Sequence, residues 1–228
     1  WASAVVMPTC KMMESMKRQS VNAKYFVIPH TVDVDIFKRE RPCSAGGRKV
    51  VLSAKSMEDY ANVEDIIRCM AEVAHAVPGV ELWIAGSGPE EQNLRELARD
   101  LLPEITVFLG GVSHDKMPEV MAETDILAHA TRYESFGILL VEAMAAGIPI
   151  VCYDVGGISD VVKDGETGFL TKYGDTGMMA AKLTYLLQND NARRDMGSKG
   201  MEACRLYTKD AVLTRWKQLL GTLQTEVD

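Results

Sequence analysis

The sequence predicts an α/β layer fold: a mostly parallel sheet flanked by helices, Rossmann-like in its alternation. Three observations carry that prediction. Short apolar runs alternate with helical patterns along most of the chain. Most of those runs are continuously apolar, as strands covered on both faces are. Alternating β and α units then imply parallel strands joined by right-handed crossovers. The 228 residues, 47% hydrophobic and 25% charged, suffice for a core without disulfide or metal staples and argue against disorder.

Strands are predicted at 5–7, 25–28, 49–53, 80–85, 105–109, 126–130 and 150–153, where Val50-Val51-Leu52, Leu82-Trp83-Ile84 and Ile126-Leu127 typify the apolar runs. The helix at 63–76 places Ile66, Ile67, Met70, Val73 and Ala74 on one face, and that at 90–101 does the same with Leu94, Leu97 and Leu101. Pro118 suits the first turn of a helix running to 124. From Gly137 the apolar positions Ile138, Val141, Met144 and Ala145 fit a buried helix. Segment 38–48, polar with Pro and two Gly, reads as a loop before a fresh domain at Lys49. After Leu170 the chain becomes helical, at 176–188, 191–205 and 209–224; no internal repeat is visible.

Lys and Arg number 25 against 32 Asp and Glu, a net charge of −7, which argues against a broad nucleic-acid footprint. Five dispersed cysteines with no CxxC pair fit neither a zinc site nor a secreted disulfide framework, and predict a reduced, cytoplasmic setting. No apolar stretch reaches the roughly 20 residues that span a bilayer. The chain opens on Trp1 rather than Met, and is expected to be a piece of something longer.

In a parallel α/β sheet, ligands bind outside the carboxyl ends of the strands, and three segments there can carry chemistry. In AGSGPEE (85–91), Gly86 and Gly88 let backbone approach an anionic ligand, or simply make a tight βα turn. In RYESFGILLVEAM (132–144), Glu134 falls in a loop at a strand end and Glu142 inside the apolar helix. A carboxylate among such neighbours needs a partner. At roughly 12 Å apart if the span were helical, the two carboxylates are too distant for an acid/base pair. They suit the two ends of a polyhydroxyl ligand with anionic groups between, or a core helix with Glu142 bonded to backbone. In YDVGGISD (153–160), Gly156-Gly157 open a short helix, more plainly a βα connection.

Together with VIPHTVDVDIF (27–37), FLGGV (108–112), ESFGILLVEAMAAG (134–147) and GGISDVVKDGETGFL (156–170), these segments resemble the C-terminal half of GT-B glycosyltransferases of family GT4, "glycosyl transferases group 1". The resemblance covers nearly the whole chain. It implies a retaining, metal-independent enzyme that moves a sugar from a UDP- or GDP-linked donor to a hydroxyl on a sugar, lipid or small molecule. It implies no cofactor, the nucleotide sugar being a substrate. Glu142 would bind the ribose hydroxyls and Glu134 the donor sugar. Ser135 and the backbone of Phe136, Gly137, Ile138 and Leu139 would meet diphosphate or sugar. Gly86 and Gly88 would line the donor site, with Val112 and Ser113 flanking the base. Residues 1–37 would be the tail of an N-terminal domain that this sequence lacks, 38–206 the nucleotide-sugar domain, and 207–228 a helix packing back on that missing domain. Segment 2–19 would be the missing domain's last strand and helix, with Thr9 as N-cap. The family's lipid acceptors add a peripheral position at the cytoplasmic membrane face to the expected setting.

The sequence departs from the family where its first strand usually ends Gly-Arg, followed by Lys-Gly. Lys55 supplies one cation as a point charge rather than a bidentate fork, and Ala61 stands where the second is usual. Lys116 and Arg132 could compensate, though both read as solvated surface charges, and His114 sits on a loop that could near the ligand. The rival expectations are a non-catalytic nucleotide-sugar module, or a subunit completed by a separate partner; a GT-B epimerase fits the Glu134–Glu142 context less well.

Overall fold

The computed structural model describes residues 4–19, 23–38 and 48–224. Most of the loop expected at 38–48, Cys43 and Trp1 lie outside them. The first described elements are β1 (Ala4–Met7), α1 (Cys10–Arg18) and β2 (Lys24–Val27), with β1 and β2 paired parallel in a sheet of their own. Thr9 caps α1, its hydroxyl accepting from Met12 N–H at 3.4 Å.

A six-stranded sheet follows: β3 (Lys49–Ala54), β4 (Val80–Ala85), β5 (Thr106–Gly110), β6 (Ile126–His129), β7 (Ile150–Tyr153) and β8 (Gly168–Thr171), all parallel. The helices are α2 (Val63–Ala76), α3 (Glu91–Leu101), α4 (Met117–Ala122), α5 (Ile138–Ala145), α6 (Ile158–Val161), α7 (Thr176–Gln188), α8 (Asp190–Ala203) and α9 (Lys209–Gln224).

Successive strand residues point to opposite faces, and both faces here are buried. Val51, Leu82 and Ile126 enter one core with Ile66 and Met70 of α2 and Leu183 of α7. Leu52, Trp83 and Leu127 enter the other with Leu140 and Val141 of α5. That is why the strands read as unbroken apolar runs; each such side chain contributes roughly 1.5–3 kcal/mol on burial. A third, smaller core joins Ile28 to Val212 and Leu219, with Val6 and Phe26 against it, so α9 lies on the β1–β2 pair.

The strand order is β5-β4-β3-β6-β7-β8. The chain winds outward from β3 to β5, then returns to lay β6 on the other side of β3. The sheet therefore has a topological switch point between β3 and β6.

The helices expected after Leu170 follow as α7, α8 and α9, but strand β8 just before them is not among the predicted strands. Of its residues only Phe169 and Leu170 are large and apolar, and both are partly exposed on the sheet edge. Gly168 allows it to approach β7 closely; a Cβ there would fall 2.6 Å from the Ile150 carbonyl oxygen. Helix α8 stops at Ala203 and tightens into a 3₁₀ turn over Cys204–Tyr207. Strand β6 ends at His129, one residue earlier than predicted, and β5 is shifted by one.

Candidate functional site at the switch point

Lys55 leaves the end of β3 and Glu134 lies in the loop after β6, so the two flank the switch point. Their side chains meet across it, Lys55 Nζ donating to Glu134 Oε2 at 2.9 Å, with only 26% and 14% of the side chains exposed. The other carboxylate oxygen accepts from Ser135 N–H at 3.1 Å. Burial pushes the Glu134 carboxyl up, but the neighbouring His129 imidazole and Lys55 ammonium outweigh it and hold the group down at about 2. An acid held below its unfolded value of about 4.3 adds stability that is present above that value and lost as pH falls toward 2. Glu134→Gln is accordingly expected to flatten the fall in melting temperature between about pH 4.5 and 2; an unchanged acid limb would contradict the pairing.

Neighbouring turns fix the backbone carrying Glu134. Gly157 N–H donates to the Glu134 carbonyl at 2.9 Å, and Thr9 Oγ1 donates to the Ser135 carbonyl at 3.1 Å. Gly156 has φ 53°, and a Cβ there would sit 1.9 Å from the Glu134 carbonyl oxygen. Besides making the expected βα connection, these glycines let β7's loop brace β6's. Gly156→Ala combines a left-handed φ with a backbone clash, so a loss of about 2 kcal/mol or more in unfolding free energy is expected by denaturant titration. A neutral change would show that the two loops do not touch.

The loops after β3, β4 and β5 are knitted together, with Lys55 N–H to the Ala85 carbonyl (3.1 Å), Met57 N–H to the Ser87 carbonyl (2.9 Å) and Gly86 N–H to the Gly110 carbonyl (2.7 Å). They border an open cavity of about 320 Å³ lined by Lys55, Ser56, Gly86, Ser87, Gly111 and Val112, among others. Gly86 (φ 142°) lies so close to Lys55 that a Cβ would fall 2.0 Å from its carbonyl oxygen. Gly88 packs on the Met57 backbone and is not among the cavity's lining residues. Ser113 also stands apart from that lining; its carbonyl accepts from the Lys116 and Met117 amides at the start of α4.

Glu142 is 5% exposed within α5. Among the described residues its carboxylate makes no backbone hydrogen bond, though α5 lies in the core; its polar neighbour is His114 Nδ1, 3.4 Å away. Burial pushes the Glu142 carboxyl up, partly offset by His114. His114 is thus placed beside a candidate binding residue. Gly137, in the left-handed region at φ 88°, begins α5, and the first amides behind it lack intrahelical acceptors by geometry. The Phe136 side chain itself is 2% exposed and ringed edge-on by His30 and Tyr207.

Two features escaped sequence reasoning. Buried His129 lies 3.6 Å from Glu134 Oε2; the signal available was one polar residue at the carboxyl end of an apolar strand. Ala61 is 2% exposed, followed by Asn62 at φ 48°, so the position lacking a second cation also faces the core. Arg132 is half exposed and engaged by Asp59 (3.1 Å) and the Tyr173 hydroxyl (3.2 Å), and Lys116 by Glu119 (3.5 Å). Both are surface charges. No cluster of metal-ligating side chains occurs among the described residues.

Residues 35–203 match the family model described as "Glycosyl transferases group 1". The chain is 35% identical over 203 residues to the phosphatidyl-myo-inositol mannosyltransferase of Mycobacterium leprae, covering 87% of this chain and 54% of that protein. It is 31% identical over 172 residues to the N-acetyl-alpha-D-glucosaminyl L-malate synthase of Bacillus anthracis, covering 75% and 44%. The chain thus spans about half the length of these curated relatives. Anabaena Alr3699/HepE, solved in complex with UDP and glucose, superposes with a TM-score of 0.83 at 23% identity, over 98% of this chain and 63% of that one. The chain belongs to the glycosyl transferases group 1 family and carries a GT-B glycosyltransferase domain of the GT4 type.

Proposed function

We propose that the chain holds the nucleotide-sugar donor of a retaining, metal-independent glycosyltransferase, in the cleft over the β3–β6 switch point. The observation that carries this reading is the Lys55–Glu134 pair across the switch point, with a second, buried carboxylate, Glu142, beside His114. Glu142 is buried with His114 as its polar neighbour, and ribose hydroxyls would satisfy it. Glu134, held by Lys55 and Ser135, would bind hydroxyls of the donor sugar. Lys55 and the first amides of α5 would neutralise the diphosphate as the leaving group forms. Val112 and Gly86, on the cavity wall, would border the base. The relatives' names, a mannosyltransferase and a glucosaminyl malate synthase, and the UDP and glucose in the Anabaena structure, support a nucleoside-diphosphate hexose as donor. The acceptor would be a hydroxyl on a sugar, lipid or small molecule.

In the same reading, 38–206 is the donor domain. The β1–β2 pair with α9 on it would be the edge of an acceptor-binding domain. Two parallel strands alone are an unusual sheet, since parallel sheets normally have both faces covered. A cytoplasmic setting, peripheral to the membrane where the acceptor is a lipid, fits this role.

A panel of UDP- and GDP-linked sugars, followed by thermal shift, tests the proposal. A donor at 100 times its Kd is expected to stabilise the chain by about 2.7 kcal/mol, and a flat response across the panel would overturn it. The buried Ala61 in place of a second cation favours one alternative, a module that binds donor without turning it over. Donor binding with no sugar transfer, even alongside an acceptor-binding domain, would select that alternative.

A further inference from the structure

We propose that His129 is a positioning residue for Glu134: its Nε2–H becomes the carboxylate's partner when Lys55 turns away into the adjoining cavity. The inference rests on reading that cavity as the site of the donor's phosphates.

Three observations lead to it. His129 is 3% exposed, and its Nε2 is buried without a hydrogen-bond partner, which leaves its desolvation uncompensated. That nitrogen stands 3.6 Å from Glu134 Oε2, just beyond a formed bond. The same oxygen is occupied by Lys55 Nζ at 2.9 Å. Lys55, meanwhile, lines the cavity together with Ser56, Gly86 and Ser87, so an anion there competes with Glu134 for its ammonium.

A released Glu134 would keep Ser135 N–H on one oxygen and nothing on the other. A shift of under about 1 Å brings Oε2 within bonding range of His129. The exchange moves no proton. Burial holds the imidazole below its usual range, with Lys55 adding to the effect and Glu134 opposing it. The groups facing it are Glu134 and Lys55 on the cleft side, with Cys152 as its register partner on β7. The carboxylate would thus remain fixed while the cation changes partner, which keeps Glu134 oriented toward the donor sugar.

The test uses the full chain labelled with ¹⁵N-histidine, which carries four imidazoles (His30, His75, His114, His129). The expected state of His129 is the Nε2–H tautomer. In Lys55→Met, which mimics departure of the lysine, its Hε2 resonance moves downfield and exchanges more slowly; adding Glu134→Gln cancels the change. A bare Nε2, or no response to Lys55→Met, overturns the inference. A second arm titrates UDP-glucose and GDP-mannose against UDP and GDP. His129→Leu is expected to weaken the preferred nucleotide sugar about tenfold while sparing the free nucleotide, and His129→Gln, which keeps an N–H at the same reach, to restore it. Wild-type affinity in His129→Leu, where Glu134→Gln is impaired, overturns it. If Glu134→Gln is itself without effect, the donor-sugar reading fails instead, and the imidazole spectrum still decides the role of His129.

Discussion

Glu142→Gln is expected to weaken nucleotide binding and stabilise the empty protein in one step. The carboxylate is 5% exposed, and burial raises its pKa with only partial relief from His114. An acid whose folded value lies above its unfolded one costs stability as pH rises from about 4.3 through the folded value. The amide removes that cost, so the variant's melting temperature should exceed wild type at neutral pH and the two should converge below about pH 4. Binding should fall by 1.5–3 kcal/mol, about 10- to 150-fold, the usual range for hydrogen bonds to a charged group. Such opposition of stability and function is the mark of a binding group held without a structural partner. Loss of both stability and binding would instead make Glu142 a structural residue.

Lys55→Met should act on turnover. A cation facing a leaving diphosphate stabilises charge that develops mainly in the transition state, and removal of one such donor typically costs about 10²–10³ in rate. Ala61 offers no second positive charge, and Arg132 is engaged by Asp59 and Tyr173. Single-turnover transfer, in protein carrying an acceptor-binding domain, should show the loss chiefly in kcat. Lys55→Arg should recover part of it, because charge is kept while reach and geometry change. A Lys55→Met variant with undiminished turnover would leave Lys55 as a tether for Glu134 alone.

The sheet and its order of elements were legible because each central strand is covered on both faces: Val51 and Leu52 enter opposite cores, so their run is unbroken. Strand β8 was not, since an edge strand with a close-approach glycine carries little apolar signal. The candidate site divides in the same way. Glu142 was legible because a carboxylate in an apolar helix demands a partner, and Glu134 because it falls in the loop at a strand's carboxyl end. Gly156 looked like an ordinary turn because its purpose, clearance for the Glu134 carbonyl, is a contact between segments distant in sequence. His129 was missed for the same reason, its neighbours Lys55 and Glu134 arriving from two other loops.

Calorimetric titration of UDP and GDP into wild-type chain and Glu142→Ala tests the donor-site claim most directly. The account predicts one saturable site for at least one nucleotide, with affinity at least about tenfold weaker in the variant. Unchanged affinity for both nucleotides in Glu142→Ala would contradict it.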